Sequence, residues 1–281
     1  MTTQPASAVI RREPASDTSS AGPMIELSGV ERRFGAVRVL GPIDVRIDRG
    51  EFVAVVGPSG CGKSTLLELV AGLQAPDAGS VSVNGHLLEG PRRKTSIIFQ
   101  DSSTLPWRTV EDNVAFALEA SGVPKKERRR QARALLRAVG LEQFARHHPP
   151  QLSGGMRQRV AIARALSLDP DLILADEPFG ALDEQTRILM AFELMQVVDR
   201  SSAAVLFITH SIQEAVLLAD RILVMGARPG RIVDEIVVDL PRPRDESVLG
   251  LSESARITER VWARIRDEAR AAMGGSDTEA P

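Results

Sequence analysis

The feature that most constrains the fold is a glycine-rich segment at residues 57–65, Gly57-Pro58-Ser59-Gly60-Cys61-Gly62-Lys63-Ser64-Thr65. The apolar run at residues 52–56 directly before it is typical of a buried strand. Residues 65–71, which follow, have the composition of a helix that ends near Gly72. A strand, a tight loop and a helix in this order form the unit from which α/β domains with parallel sheets are built.

The same segment matches the pattern G-x-x-x-x-G-K-[ST], in which backbone N–H groups surround phosphate. Glycines allow successive N–H groups to point inward, and the following helix adds its positive N-terminal end. In this pattern Lys63 places a positive charge at the β- and γ-phosphates, and the Ser64 hydroxyl binds Mg²⁺. We predict that all nine residues bind a nucleotide. Cys61 is either a small residue tolerated there or a somewhat reactive thiol.

Strand and helix patterns continue on both sides of this unit. They predict strands at residues 24–27, 43–47, 80–83, 96–99, 172–175, 203–209 and 222–225, and helices at residues 184–200 and 211–219. Residues 110–166 are helical and rich in arginine; the basic face of residues 124–139 is either solvated or weakly attracted to anionic lipid headgroups. Apolar strands alternating with helices predict a parallel sheet covered on both faces, with the helical middle inserted between its halves.

Two acidic residues, Asp176 and Glu177, follow the strand predicted at residues 172–175, and His210 follows the one at residues 203–209. The carboxyl ends of parallel strands are where α/β sheets bind ligands. There Asp176 can hold the hydration shell of Mg²⁺, and Glu177, pointing the opposite way along the strand, can polarise an attacking water. A neutral His210 imidazole can contact a γ-phosphate oxygen or hold that water. A solvated turn and a structural histidine are the alternatives.

Length, charge and composition limit the classes of protein to which the chain can belong. A length of 281 residues suffices for one large α/β domain or for two small ones. The net charge of −2 gives no excess of positive charge for binding nucleic acid. The single cysteine excludes an internal disulfide or a cysteine-built zinc site and indicates a reducing compartment. No segment approaches the roughly 18–20 consecutive apolar residues of a membrane span, so any work at a membrane requires a partner.

The stretch Leu152-Ser153-Gly154-Gly155-Met156-Arg157-Gln158-Arg159, with Asp176-Glu177 further on, resembles the signature of ATP-binding-cassette (ABC) ATPases. Ser153 and the two glycines open an arginine-bearing helix, so that free N–H groups and a hydroxyl face an anion. The resemblance covers about residues 25–244. It implies an α/β P-loop NTPase with a RecA-like parallel core, an N-terminal antiparallel β part and an α-helical subdomain inserted at about residues 102–165.

The resemblance also implies roles for single residues. Gln100 matches the glutamine loop, which contacts Mg²⁺ and faces a transmembrane partner. Glu177 matches the catalytic glutamate and His210 the switch histidine. Phe34 falls where an aromatic ring stacks on adenine; tyrosine is usual there, and this chain has none. A core phenylalanine is the alternative for Phe34, and Val39 would pack on the edge of the same nucleotide.

In this family the signature of one subunit covers the ATP held by the phosphate loop of the other. A head-to-tail homodimer is therefore implied, with Ser153, Gly154, Gly155 and Gln158 facing the partner's nucleotide. Asp183 matches a loop that crosses the dimer interface. The implied cofactors are ATP and Mg²⁺.

Two segments resemble the nitrate, sulfonate and taurine branch of bacterial importers: Leu105-Pro106-Trp107 leading into Asp112-Asn113-Val114, and Leu240-Pro241-Arg242-Pro243-Arg244. This implies a peripheral ATPase subunit on the cytoplasmic face of a bacterial membrane. Its implied partners are a permease, contacted near residues 100–113, and an extracytoplasmic solute-binding protein. Trp107 is either exposed toward the permease or buried in a core. Sulfonate, taurine, nitrate and a pyrimidine precursor of thiamine are all open as solutes.

The domain boundaries follow from these segments. We predict a disordered tail at residues 1–22, an ATP-binding domain at residues 23–245, and a helical extension with a frayed tail at residues 246–281, including a terminal helix at residues 258–273. Two rival functions remain: a cassette that acts on nucleic acid, and a regulatory subunit that senses ATP without turnover.

Overall fold

The computed structural model describes residues 22–180, 182–199, 201–242 and 244–274. Apart from Gly22, the tail predicted to be disordered lies outside these ranges, as does the C-terminal end beyond residue 274. Ala181, Arg200 and Pro243 also lie outside them. These three residues belong to the predicted interface loop, the end of the helix predicted at residues 184–200, and the segment at residues 240–244.

In chain order, the strands of the described part are β1 (Ile25–Phe34), β2 (Val37–Ile47), β3 (Phe52–Val56), β4 (Ala78–Val83), β5 (His86–Leu87), β6 (Thr95–Ile98), β7 (Leu172–Asp176), β8 (Ala204–Ile208), β9 (Arg221–Gly226) and β10 (Arg231–Val237). Its α-helices are α1 (Lys63–Val70), α2 (Val110–Val114), α3 (Phe116–Ala120), α4 (Lys125–Ala138), α5 (Gly154–Leu166), α6 (Glu184–Val198), α7 (Ile212–Leu218) and α8 (Ser252–Gly274). Short 3-10 turns lie at Glu142–Phe144, Pro149–Gln151 and Glu246–Gly250.

Two sheets organise the molecule. An antiparallel sheet has the strand order β2-β1-β4-β5, and a larger sheet has the order β10-β9-β3-β8-β7-β6. All neighbours in the larger sheet are parallel except β9 and β10, which form an antiparallel pair. Each predicted strand is present, and the predicted parallel core with an N-terminal antiparallel part is confirmed.

The elements missed or misplaced by sequence reasoning carry weak apolar signals. Strand β10 contains Arg231, Asp234 and Glu235 and lies at the edge of its sheet, where Ile236 is its one buried residue. Helix α8 begins six residues before the predicted start at residue 258, because its first turn is the polar run Ser252-Glu253-Ser254. Polar side chains at a sheet edge or in a first helical turn do not produce the periodicity from which elements are predicted.

Hydrophobic residues pack on both faces of the larger sheet. On one face β1, β2, β4 and α1 cover it, and on the other α5, α6, α7 and α8 do. A separate small core holds α2, α4 and α5 together in the inserted helical part. No helix in the described ranges has the length and apolarity to cross a bilayer.

Helix α8 packs into the main core rather than beside it. Its residues Ile257 and Val261 are buried in the cluster that contains α7 and β9. Arg231 of β10 pairs with Glu268 at 3.1 Å, and the Glu268 carboxyl occupies the space where a side chain on Gly226 would lie. Helix α8 and the β9–β10 hairpin are therefore fastened together by both apolar and ionic contacts.

Candidate functional site

The phosphate loop, residues 57–65, connects the end of β3 to the first turn of α1. Gly60 and Gly62 have φ values of +76° and +96°, which L side chains rarely adopt. A Cβ at Gly57 would lie 2.5 Å from the carbonyl oxygen of Met225, and one at Gly62 would lie 2.6 Å from a methyl of Leu40. Glycine is therefore required at these positions to bring the backbone close to its neighbours, with the free N–H groups of the first turn of α1 beside the loop.

The Lys63 ammonium group lies over the phosphate loop. Its Nζ donates hydrogen bonds to the carbonyl oxygens of Gly57 at 3.0 Å and Pro58 at 3.2 Å. Lys63 is buried and forms no ion pair with any described residue. Its Nζ also lies 4.0 Å from the Cys61 sulfur. A buried cation whose partners are all neutral groups is suited to an anionic ligand.

The Cys61 side chain is buried beneath the loop. Burial raises the pKa of its thiol, although the neighbouring charge of Lys63 acts in the opposite direction. The thiol is 1% exposed and so is inaccessible to a reactant, and the reactive-thiol alternative for Cys61 is wrong. Cys61 is a small core residue of the loop.

Asp176 and Ser64 form an oxygen pair at the end of the phosphate loop. Burial raises the pKa of the Asp176 carboxyl, and the hydrogen bond from the Ser64 side chain acts in the opposite direction. No cluster of three metal-binding side chains occurs among the described residues. Mg²⁺ in nucleotide sites is usually held by one or two protein oxygens together with phosphate and water, and a hydroxyl beside a carboxylate fits that arrangement.

Glu177 and His210 lie together at the ends of neighbouring strands. Glu177 Oε2 lies 3.2 Å from His210 Nδ1. Glu177 lies one residue beyond β7 with φ of +44°, and its N–H donates to the carbonyl oxygen of Ile208 at 2.9 Å. Glu177 is therefore a left-handed turn residue and not a strand residue. The direction of its side chain is set by this turn, so the prediction that it follows from strand alternation is wrong. Such a conformation is uncommon for a non-glycine residue and is frequent at functional sites.

Gln100 follows β6, the strand beside β7. Its side chain is exposed and lies against Gly180, where a Cβ would be 3.2 Å from Gln100 Nε2. The ends of β6, β7, β8 and β3 therefore bring Gln100, Asp176, Glu177 and His210 to the edge of the sheet that carries the phosphate loop.

Phe34 and Val39 lie on either side of the β1–β2 turn. Phe34 is 45% exposed, and the Arg32 guanidinium lies 4.8 Å from its ring centroid. The alternative of a core phenylalanine is therefore wrong. Val39 is half-buried beside the phosphate loop, where its Cγ1 would lie 3.3 Å from a Cβ at Gly62.

The signature turn, residues 153–155, begins α5. Ser153 is its N-cap and accepts a hydrogen bond from the Met156 N–H at 3.3 Å; Ser153 and Gly154 are exposed. Gln158 is buried, with no hydrogen-bond partner for its Nε2 among the described residues. Asp183 caps α6 by accepting from the N–H and hydroxyl of Thr186. Within the described part of this one chain, no hydrogen bond joins these residues to the phosphate loop.

Two side chains hold the loop at residues 101–109. Arg164 donates to the carbonyl oxygens of Ser102 and Ser103, and Asn113 holds the second half of the loop. Asn113 is fully buried; its Oδ1 accepts from the Leu105 N–H, and its Nδ2 donates to the carbonyl oxygens of Leu105, Arg108 and Thr109. Trp107 on this loop is 72% exposed, so the alternative of a core tryptophan is wrong. The sequence pattern named Asn113 only as part of a resemblance and gave no sign of this hydrogen-bonding role.

Asn113→Ala is expected to lower the free energy of unfolding by about 2–4 kcal/mol, because it leaves buried polar groups of the loop without partners. Urea unfolding measures this change. Gln131→Ala is the control, since Gln131 makes a single side-chain contact with Glu127 on α4 and should change stability by less than about 0.5 kcal/mol. Equal effects of the two substitutions would contradict the assigned role of Asn113.

Sequence reasoning missed three further polar residues near this edge: Arg187, Thr209 and Glu214. Thr209 and Glu214 are buried and joined by a hydrogen bond, and Arg187 pairs with Glu214. The available signal was an acidic residue within the short and otherwise largely apolar helix α7. A buried charge in such a helix requires a partner, and this criterion would have identified the group.

Comparisons with known proteins agree with this geometry. Residues 40–180 match the ABC transporter family. An uncharacterized ABC transporter ATP-binding protein of Methanocaldococcus jannaschii is 48% identical, over 77% of this chain and 81% of its own length. The aliphatic sulfonates import ATP-binding protein SsuB 2 of Burkholderia cenocepacia is 45% identical, over 89% of this chain and 91% of its own. The taurine import ATP-binding protein TauB of Rhizobium johnstonii is 44% identical, over 87% and 93%.

Solved structures show the same fold. An ATP-binding cassette solved as a dimer in a post-hydrolysis state with ADP and phosphate superposes with a TM-score of 0.66 at 32% identity. The dimeric structure of a bacterial ABC transporter cassette superposes with a TM-score of 0.69 at 33% identity. Each match covers 78% of this chain and the whole of the solved chain.

Proposed function

The chain belongs to the ABC transporter family, and on that premise we propose that it is the ATP-hydrolysing subunit of an importer for a small solute of the aliphatic sulfonate or taurine type. The observation that carries the ATPase function is the contact between Glu177 and His210 at the strand ends beside Asp176 and the phosphate loop. The solute class rests on the two importer relatives, which match almost nine-tenths of the chain.

In this proposal the nucleotide lies along one edge of the sheet. Phe34 stacks on adenine through the ring face not occupied by Arg32, and Val39 packs beside it. Residues 57–65 surround the phosphates, and Lys63 exchanges its carbonyl partners for phosphate oxygens. Ser64, Asp176 and Gln100 would hold Mg²⁺, which neutralises phosphate charge when bound.

Glu177 and His210 act on water in this proposal. The Glu177 carboxylate accepts a proton from the attacking water. It is the carboxylate that contacts His210 at this edge of the sheet, whereas Asp176 is assigned to Mg²⁺. The His210 ring is partly exposed and contacts Glu177 through Nδ1, which leaves Nε2 free to face the γ-phosphate or the water. The left-handed backbone at Glu177 holds the carboxylate in this direction.

We further propose a homodimer in the nucleotide-bound state. The exposed signature turn offers a hydroxyl and helix N-terminal N–H groups, which suit the γ-phosphate of the partner's nucleotide. Ser153, Gly154 and Gly155 form this contact, with Gln158 buried behind them and Asp183 at the interface. The two solved dimeric cassettes support this arrangement.

Ser153→Arg is expected to abolish ATP-dependent dimerisation while changing the Kd for ATP by less than about threefold, because it blocks only the partner's nucleotide. Size-exclusion chromatography with ATP, in a hydrolysis-deficient background, measures the dimer. Gln143→Arg adds the same side chain at an exposed turn of the helical part and should leave dimerisation intact. Normal dimerisation of Ser153→Arg would contradict the proposed interface.

The remaining partners follow from the importer assignment. The exposed loop with Trp107, held by Asn113, is the proposed contact for a transmembrane permease near residues 100–113. The protein would then lie on the cytoplasmic face of the bacterial membrane, with an extracytoplasmic solute-binding protein in the same complex. Nucleic acid is not a proposed partner.

Reconstitution tests the proposed function. The chain is purified with the permease and solute-binding protein encoded beside it, and both ATP hydrolysis and solute uptake into vesicles are measured. Taurine or an aliphatic sulfonate is expected to stimulate both, and nitrate serves as the competing solute. Hydrolysis that requires nucleic acid and falls steeply with salt would contradict the proposal, and so would complete absence of turnover with the permease present.

A further inference from the structure

Two buried polar side chains, those of Thr209 and Glu214, lie next to the turn that carries His210. Glu214 of α7 is 6% exposed, and its Oε2 accepts a hydrogen bond from the Thr209 hydroxyl at 2.5 Å. The same hydroxyl oxygen accepts from the Ser211 N–H at 2.9 Å, and the Ser211 hydroxyl caps α7 by accepting from the Glu214 N–H. These bonds enclose His210 on both sides in sequence, so the position of the Glu214 carboxylate fixes the turn that carries the imidazole.

Arg187 connects this carboxylate to the loop that ends at Asp183. Its Nη2 donates to the carbonyl oxygen of Leu182 at 3.0 Å, and its Nε lies 3.4 Å from Glu214 Oε1. That Nε is buried and makes no hydrogen bond within the described part of the chain. A buried N–H without an acceptor carries a free-energy cost, and a small displacement of Arg187 toward Glu214 would remove it.

The other end of this connection is the signature turn. A Cβ at Gly155 would lie 3.4 Å from the Thr186 methyl and 3.9 Å from a methyl of Leu182, so the loop before α6 packs against the start of α5. Thr186 and Leu182 flank Asp183, which we place at the dimer interface. Contacts therefore run from the signature turn and the interface loop, through Arg187 and Glu214, to Thr209 and its neighbour His210.

We infer that Arg187 and Glu214 are positioning residues that set His210 against Glu177 according to the state of residues 182–187, which comprise the end of the loop and the first turn of α6. This inference rests on the proposed function, because it assumes that the loop contacts a partner subunit when ATP is bound. Contact with the partner displaces the loop, the Arg187 Nε completes its hydrogen bond to Glu214, and the turn at residues 209–211 takes its active position. In this inference neither residue contacts the nucleotide or the attacking water, and both act through His210.

The test is a double-mutant cycle in the full-length protein. Glu214→Gln keeps the shape of the side chain and an acceptor for Thr209 but removes the charge that faces Arg187; Arg187→Ala removes the connection to Leu182. Each single substitution is expected to lower kcat about tenfold with KM and the ATP Kd within about twofold, and the double variant should be no slower than the slower single variant. Phosphate release, ATP titration and thermal melting supply the readouts.

Glu193→Gln is the matched control. Glu193 lies on α6, as Arg187 does, and its Oε2 lies 3.5 Å from Arg159 Nε. As with Arg187 and Glu214, the Arg159 Nε makes no hydrogen bond among the described residues, but this pair does not connect to His210. It should leave kcat within about twofold of the unmodified protein. Losses that multiply in the double variant, an equal loss in Glu193→Gln, or unchanged kcat in Glu214→Gln would each overturn the inference. Failure of the unmodified protein to hydrolyse ATP would instead overturn the proposed function.

Discussion

Glu177→Gln is expected to abolish ATP hydrolysis and to leave ATP binding intact. The amide keeps the shape of the carboxylate and can still contact His210, which lies 3.2 Å from Glu177 Oε2, but it cannot accept the proton of the attacking water. General-base catalysis contributes about 10²–10⁴-fold, so kcat should fall by at least about a hundredfold. Steady-state phosphate release measures the loss, and equilibrium titration measures ATP binding.

Glu177→Gln should also change the oligomeric state of the protein. The variant should accumulate as a dimer in the presence of ATP, because nucleotide is bound but not consumed. Glu253→Gln is the matched control, since Glu253 lies at the exposed start of α8 and pairs only with Arg256 among the described residues. Undiminished hydrolysis by Glu177→Gln would remove Glu177 from its proposed role.

Lys63→Ala is expected to weaken ATP binding by about a hundredfold or more, because the cation that faces the phosphates is lost. The substitution also removes two hydrogen bonds that hold the loop without nucleotide, those to the carbonyl oxygens of Gly57 and Pro58. The nucleotide-free variant should therefore have a somewhat lower melting temperature than the unmodified protein. Thermal melting with and without ATP separates the two effects, since a ligand raises the melting temperature only if it binds the folded state.

Lys94→Ala provides the control for this experiment. Lys94 is exposed, and its ammonium group donates a hydrogen bond to the carbonyl oxygen of Asp169. Both residues are distant in sequence from the phosphate loop. Its loss should leave the stabilisation by ATP unchanged. A Lys63→Ala variant that still gained the full increase in melting temperature with ATP would contradict the binding mode proposed here.

The order of elements around the nucleotide edge could be predicted because each rests on a local pattern. Strand β3, the glycine-rich loop and α1 follow one another in sequence, and Asp176 and His210 follow continuous apolar runs that form parallel strands. Since parallel strands end at a common edge, adjacency in space followed from the pattern alone. The parallel register of β7 with β8 brings Asp176 opposite Ile208, two residues before His210.

Contacts between residues distant in the chain could not be predicted from the sequence. The left-handed conformation of Glu177 depends on a backbone bond to Ile208, and the group of Arg187, Thr209 and Glu214 joins two helices and a strand end. Exposure of Phe34 and Trp107 likewise depends on which surfaces remain uncovered after folding. No local periodicity encodes such contacts, because each is decided by residues distant in the chain.

The attachment of α8 has a consequence for any protein or domain fused to the C-terminus. Glu268 fills the space beside Gly226, and the carbonyl oxygen of the preceding residue, Met225, lies so close to Gly57 that a Cβ there would be 2.5 Å away. A displacement of helix α8 near Glu268 would thus be passed through Gly226 and Met225 of β9 to Gly57 of the phosphate loop. Labels or binding partners at this end should consequently alter ATP affinity, whereas the same additions near the exposed β4–β5 turn should not.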